Sequence, residues 1–368
     1  MTIKSLLLGS AAALAAVSGA HAADAIVAAE PEPVEYVRVC DAYGTGYFYI
    51  PGTETCLNIG GYVRFDVGFG AGDAFKNNAA DDWDARTRAH INVIAKSDTE
   101  YGTLTSAIIL ESNYRPNAVS SDEPTAGASS TFGSSQNTTG IDEAYIDLAG
   151  VRVGKFANWW DDDFSSETDI MSTLNGSTKQ NSIRYQYDTG DFYAGIALEE
   201  LVQTDNGNGH NANNLGIDAS VGGKVGGFTY AVIGAYDMDA EEGAVLAKIG
   251  VDVGPGTLSV AGIYSTGLGD EGFNGYYDAG EWSVAAQYAL KATDKFTVTP
   301  AVQYIDNIDA DTNGDWDSGN EIRAGVTLDY KIVENLSTKL TATYVSADHD
   351  DASDNDWVEG FFRLQRNF

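Results

Sequence analysis

Residues 57–69 read LNIGGYVRFDVGF. Leu57, Ile59, Gly61, Val63, Phe65, Val67 and Phe69 fall on one parity; Asn58, Tyr62, Arg64 and Asp66 fall on the other. Successive side chains of an extended chain point to opposite faces, so this stretch is a strand with one apolar and one polar face. The next stretch repeats it: Ala85, Thr87, Ala89, Ile91 and Val93 alternate with Arg86, Arg88, His90 and Asn92. Far downstream, Ile322, Ala324, Val326, Leu328 and Tyr330 alternate with Glu321, Arg323, Thr327 and Asp329.

Working outward, the pattern predicts sixteen strands, over 57–70, 83–98, 100–112, 141–148, 151–157, 181–188, 191–199, 212–225, 227–237, 243–253, 256–265, 279–290, 295–305, 319–332, 336–346 and 357–368. Their ends are fixed to about two to four residues. The connections alternate in kind. One set is tight, as at Asp98-Thr99, Ala149-Gly150, Thr189-Gly190, Gly226-Gly227, Gly254-Pro255-Gly256, Ala292-Thr293-Asp294 and Glu334-Asn335. The other is longer and polar, at roughly 71–82, 113–140, 158–180, 200–211, 238–242, 266–278, 306–318 and 347–356.

Short turns at one end and long loops at the other are the pattern of a transmembrane β-barrel. The polar face carries too many Arg, Lys, Glu, Asp and Gln side chains to be packed dry. An outward apolar face and an inward polar face resolve this, and a closed barrel of about 16 to 18 strands is wide enough for a water-filled lumen. The fold expected is all-β: a 16-stranded antiparallel barrel with short turns on the periplasmic side and long external loops. Trp83, Tyr101, Trp282, Trp357 and Phe368 stand near strand ends, where interfacial aromatics belong.

The N-terminus directs export. Lys4 precedes an apolar run, LLLGSAAALAAV (6–17), and Ala20-His21-Ala22 has the small-x-small form of a cleavage site. Residues 1–22 therefore read as a secretory signal peptide, since the run is short for a membrane anchor. Residues 23–56 form an N-terminal periplasmic segment and 57–368 the barrel. The two cysteines, Cys40 and Cys56, are expected to form one disulfide in an oxidising compartment, with two free thiols as the alternative.

Charge and motifs exclude several functions. With 21 Lys and Arg against 54 Asp and Glu, a net charge of −33, the chain does not suit nucleic acid. No Gly-x-Ser-x-Gly, His-Glu-x-x-His or P-loop pattern occurs, so neither catalysis nor a cofactor is expected. Asp309, Asp311 and Asn313 imitate the start of a calcium loop, but Asn320 stands where the bidentate glutamate belongs. The overall acidity leans permeation toward cations.

Three motifs carry a family resemblance. CDAYGTGYFYIPGTETCLNIGGYVRFDVGFG (Cys40–Gly70), EAYIDLAGVRVGKFANWWDDDF (Glu143–Phe164) and the ending FFRLQRNF (Phe361–Phe368) resemble the general porins of alphaproteobacteria, of the rhizobial and Brucella type. The resemblance spans residues 36–368. It implies a homotrimer in outer-membrane lipid and lipopolysaccharide, open to small hydrophilic solutes. It also implies a third loop folded into the barrel, and a terminal Phe368 read by the barrel-assembly machinery. The third loop supplies Asp161, Asp162, Asp163, Glu167 and Asp169 as the acidic side of a constriction. Arg64, Arg86 and Arg88, on the polar parity, with Arg115 and Arg363, would oppose it. Simple ion pairing of these arginines with Asp66 or Asp84 is the competing reading. The rival function is a non-conducting structural or adhesive barrel acting through its loops.

Overall fold

The computed structural model describes residues 38–72, 83–114, 138–161, 164, 178–201, 214–269, 272–349 and 355–368. The chain divides into two units, 1–38 and 39–368, and the second holds all the strands. The signal peptide expected at 1–22 lies outside the described residues.

A short strand, β1 (Phe48–Tyr49), precedes sixteen long ones. These are β2 (Cys56–Gly72), β3 (Trp83–Thr99), β4 (Gly102–Tyr114), β5 (Thr138–Leu148), β6 (Val151–Ala157), β7 (Lys179–Asp188), β8 (Phe192–Leu201) and β9 (Asn214–Val225). They continue as β10 (Phe228–Asp237), β11 (Glu242–Val253), β12 (Gly256–Ser265), β13 (Trp282–Lys291), β14 (Phe296–Ala310), β15 (Trp316–Val333), β16 (Leu336–Asp348) and β17 (Asn355–Asn367). Every predicted strand is present. Each pairs antiparallel with the next, and β17 returns to β2, with Arg363 opposite Asp66 and Asn367 opposite Tyr62. The backbone of Phe368 completes the seam: its N–H donates to Gly61 O at 3.0 Å and its carbonyl accepts from Gly61 N–H at 3.1 Å. Closure leaves no open edge, the condition for a sheet in hydrocarbon.

The connection expected at 306–318 is much shorter, 311–315, because β14 and β15 continue pairing as far as Ala310 and Trp316.

The apolar parity faces outward: Ile59, Val63, Phe65, Ile91, Ile108, Ile196, Val284, Tyr304, Ile322, Tyr344 and Phe362 are all exposed. Trp83, Tyr101, Trp282 and Phe368 are exposed as well. Trp357 is not. It stands on the inward parity with Phe361 and Arg363, packs on Val345 and Ala347, and donates from Nε1 to Glu359 Oε2 at 3.2 Å.

Cys40 and Cys56 are joined, 16 residues apart. Their loop carries β1, which pairs Phe48 with Leu57 and Tyr49 with Cys56. The Tyr43 hydroxyl donates to Asp98 Oδ1 at 2.7 Å. Desolvation and this acceptor push the Tyr43 hydroxyl up to about 12.

Candidate functional site

The third long loop begins at Asn158, and its first residues turn into the barrel. A 3-10 turn, Trp159–Asp161, buries both indoles. The Trp159 ring fits because position 195 on β8 is glycine; a Cβ there would lie 2.7 Å from the indole. Arg184 of β7 lies 4.7 Å from the Phe156 ring centroid and 5.0 Å from that of Trp159, so a cation on the lumen wall holds the loop's root.

A second loop also turns inward. The connection from β12 to β13, residues 266–281, buries Phe273, Asn274, Tyr276 and Tyr277. Three contacts fix it to the wall. Asp237 Oδ2 of β10 accepts the Gly275 N–H at 2.9 Å, and Ser265 Oγ donates to Tyr277 O at 3.1 Å. The Tyr276 hydroxyl donates to Glu199 Oε2 of β8 at 3.0 Å. Burial and the Glu199 charge hold the Tyr276 pKa well above its ordinary value, so the phenol stays a donor. Glu199 is itself buried, and the same oxygen accepts from Asn158 Nδ2 at 3.3 Å and Gln180 Nε2 at 3.1 Å. One carboxylate thus ties the root of the third loop, the barrel wall and the 266–281 loop together.

The wall under these loops is lined by small or aliphatic residues: Ala197, Ile233, Ala235, Ala244, Leu246, Ala261, Ile263, Ala285 and Ala301 pack with Trp159, Trp160, Phe164, Tyr276 and Tyr277. All of these wall residues lie on the inward parity of β8 and β10–β14. The inner face of this arc therefore mixes these apolar side chains with the expected polar ones, Ser283, Gln287, Thr299 and Gln303, all buried, and its apolar part lies against the root of the third loop and the 266–281 loop. Alanine on the inward parity beside a Tyr-Tyr pair in a loop was the available signal.

The opposite arc is charged. Asp66 of β2 bridges two strands, accepting from Arg86 Nη2 at 2.8 Å and Arg363 Nε at 2.7 Å. Arg88 pairs with Glu111 at 2.8 Å and donates to Asn113 Oδ1 at 2.9 Å. Arg64 donates to Gln365 Oε1 at 2.8 Å. A bulge in β5 leaves Asp142 without a partner between Ile141 and Glu143, and turns it to the lumen. There it meets Lys179 at 2.8 Å and His90 at 3.3 Å. Side chains on this arc keep contact with open space: Arg86 is 18 % exposed, Arg88 19 % and Lys179 27 %.

Arg64, Arg86, Arg88 and Arg363 thus share one wall, and the ion pairing weighed as the competing reading is present through Asp66. Asp161 accepts from Thr178 Oγ1 and lies within electrostatic reach of Lys179. Asp162, Asp163, Glu167, Asp169 and Arg115 lie outside the described residues. Asp309 is engaged by His349 Nδ1 at 2.7 Å. Asp311 accepts the backbone N–H groups of Asn313 and Asp315, which makes a turn of the calcium-like stretch. His90, Glu111 and Asp142 converge closely enough to hold a metal ion. Each carboxylate already holds a cation, Arg88 or Lys179, and those ion pairs account for the grouping.

Comparison with known proteins agrees with this architecture. A family model described as "Porin subfamily" matches residues 24–363. The chain is 45% identical to outer membrane protein IIIA of Rhizobium leguminosarum bv. viciae, over 98% of this chain and 93% of that protein. It is 37% identical to porin Omp2b of Brucella neotomae over the whole of both. Among solved structures it is similar to the outer membrane channel DcaP of Acinetobacter baumannii, with a TM-score of 0.65 at 13% identity, covering 87% of this chain and 99% of that one. It is also similar to a mutant of Rh. blastica porin, with a TM-score of 0.54 at 15% identity, covering 85% and 100%. With a closed 16-stranded barrel, an apolar outer surface and a charged lumen arc, the chain belongs to the porin subfamily and is an outer-membrane β-barrel channel.

Proposed function

We propose that this channel passes small hydrophilic solutes and ions by passive diffusion, without cofactor or energy input. The observation that carries the reading is the division of the lumen. The root of the third loop and the 266–281 loop pack on apolar side chains of β8 and β10–β14, away from the short-turn end, while β2–β7 present part-exposed charges. Solute then runs along the charged arc, where fixed charges beside a low-dielectric wall act strongly on ions. Asp161, Asp162, Asp163, Glu167 and Asp169 form the acidic side of the narrowest part, and Arg64, Arg86, Arg88, Arg115 and Arg363 the basic side. The mature chain follows cleavage after Ala22 and assembles as a homotrimer in lipopolysaccharide-containing membrane. Phe368 acts as its assembly signal, and the 23–56 segment lies on the periplasmic side. The relatives' names, porin and outer membrane protein, support the reading.

Purified protein in a planar bilayer tests it. Large ohmic steps are expected. Folded, inserted protein that never conducts would favour the structural or adhesive barrel. Replacing Asp161, Asp162 and Asp163 by Asn is expected to shift the reversal potential toward anions; an unchanged potential removes these residues from the narrow part.

A further inference from the structure

The short-turn end of the lumen holds a cavity of about 640 Å³, lined by Arg64, Lys291, Lys339, Arg363, Asp329 and Gln365 together with Ser and Thr hydroxyls. The strand register explains why cations gather there. Inward-facing neighbours run Lys291, Thr297, Asp329, Lys339, Arg363, Asp66, Arg86 across β13 to β17 and on to β2 and β3. The adjacent row runs Ser337, Gln365, Arg64, Arg88, Asn113. Asp329 lies 3.5 Å from Lys339, and Asp66 is engaged by two arginines, so the acids in these rows are outnumbered. The cavity itself is lined by four cations and one carboxylate, in a chain whose net charge is −33.

We propose that this cavity is a binding station for small oxyanions, solutes bearing phosphate or carboxylate groups, on their way through the pore. Its volume falls within the range of small-molecule sites, about 300–1,000 Å³. Its donors are of the kind such groups need: guanidinium forks, ammonium groups, hydroxyls of Thr257, Thr297 and Ser337, and the Gln365 amide. Rings of Arg and Lys are how pores select anions. The station opposes the cation lean set by overall acidity, because the charges nearest the path decide what enters it.

The proposal rests on the conducting channel above, and one experiment separates the two. Full-length protein in a planar bilayer, in potassium chloride, is titrated with inorganic phosphate. A saturable fall in current is expected. Lys291→Gln/Lys339→Gln is expected to conduct chloride salt, to need roughly tenfold more phosphate for the same fall, as for loss of one or two charge-assisted contacts, and to shift its reversal potential toward cations. Lys155→Gln/Lys224→Gln, which removes equal charge elsewhere, is expected to keep the wild-type response. Conductance with no saturable phosphate effect overturns the station and leaves the channel standing. Equal weakening in both double variants also overturns it, since bulk charge then suffices. Absence of any conductance overturns the channel and the station together.

Discussion

Gly216 on β9 stands where any side chain would strike the Tyr276 hydroxyl; a Cβ there would lie 2.1 Å from it. Gly216→Ala is therefore expected to unseat the phenol from Glu199 and loosen the 266–281 loop while the barrel still forms. Single-channel recording checks this: the mean current should rise and become noisier. Glu199 is the partner to test beside it. Glu199→Ala leaves the donors of Asn158, Gln180 and Tyr276 buried without their shared acceptor. A buried polar group left unsatisfied costs about 1–3 kcal/mol, so this variant should lose heat-resistant gel mobility at a lower temperature than wild type. Glu199→Gln, which keeps an acceptor oxygen, should lose less. Neither Gly216 nor Glu199 stood out in the sequence, because their importance comes from a loop 60 to 77 residues away, Gly216 to Tyr276 and Glu199 to Tyr276.

At the scale of elements, the strands were legible because a lipid-facing sheet forces strict period-two alternation, as in Leu57 to Phe69 and Ile322 to Tyr330. The inward fold of 266–281 was not legible. Loop sequences carry no periodicity, and Phe273, Tyr276 and Tyr277 reveal their destination only once the alanines of β11–β14 are seen to share the inner wall. The β5 bulge was hidden for a related reason: one extra residue, Asp142, breaks parity locally and changes which side chain faces the lumen. Replacing 268–278 by a short Gly/Ser turn is expected to raise conductance above that of Gly216→Ala, since it removes the whole insert. The N-terminal hairpin gives a separate check. In the chain-entropy model, a bridge closing a loop of this size contributes about 3 kcal/mol. Cys40→Ser/Cys56→Ser should therefore leave barrel mobility intact while making residues 40–56 sensitive to protease.

At the scale of the molecule, a lumen packed against loops on one side and lined by part-exposed charges on the other is what the proposed passage of solutes along one arc rests on. An unobstructed barrel of this size is wide; here the root of the third loop and the 266–281 loop occupy part of one arc, and in the proposed function the charges on the other arc act on what passes. Because the chain's two cysteines are bridged, any added cysteine is a unique free thiol. The most direct measurement uses this in an open channel exposed to a charged, water-soluble methanethiosulfonate reagent. Ser337→Cys and Gln365→Cys, beside the basic cavity, are expected to react rapidly and reduce the current. Ala261→Cys and Ala285→Cys, under the packed loops, are expected to resist. Equal reactivity at all four positions, or faster reaction at the alanine sites, would contradict the division of the lumen.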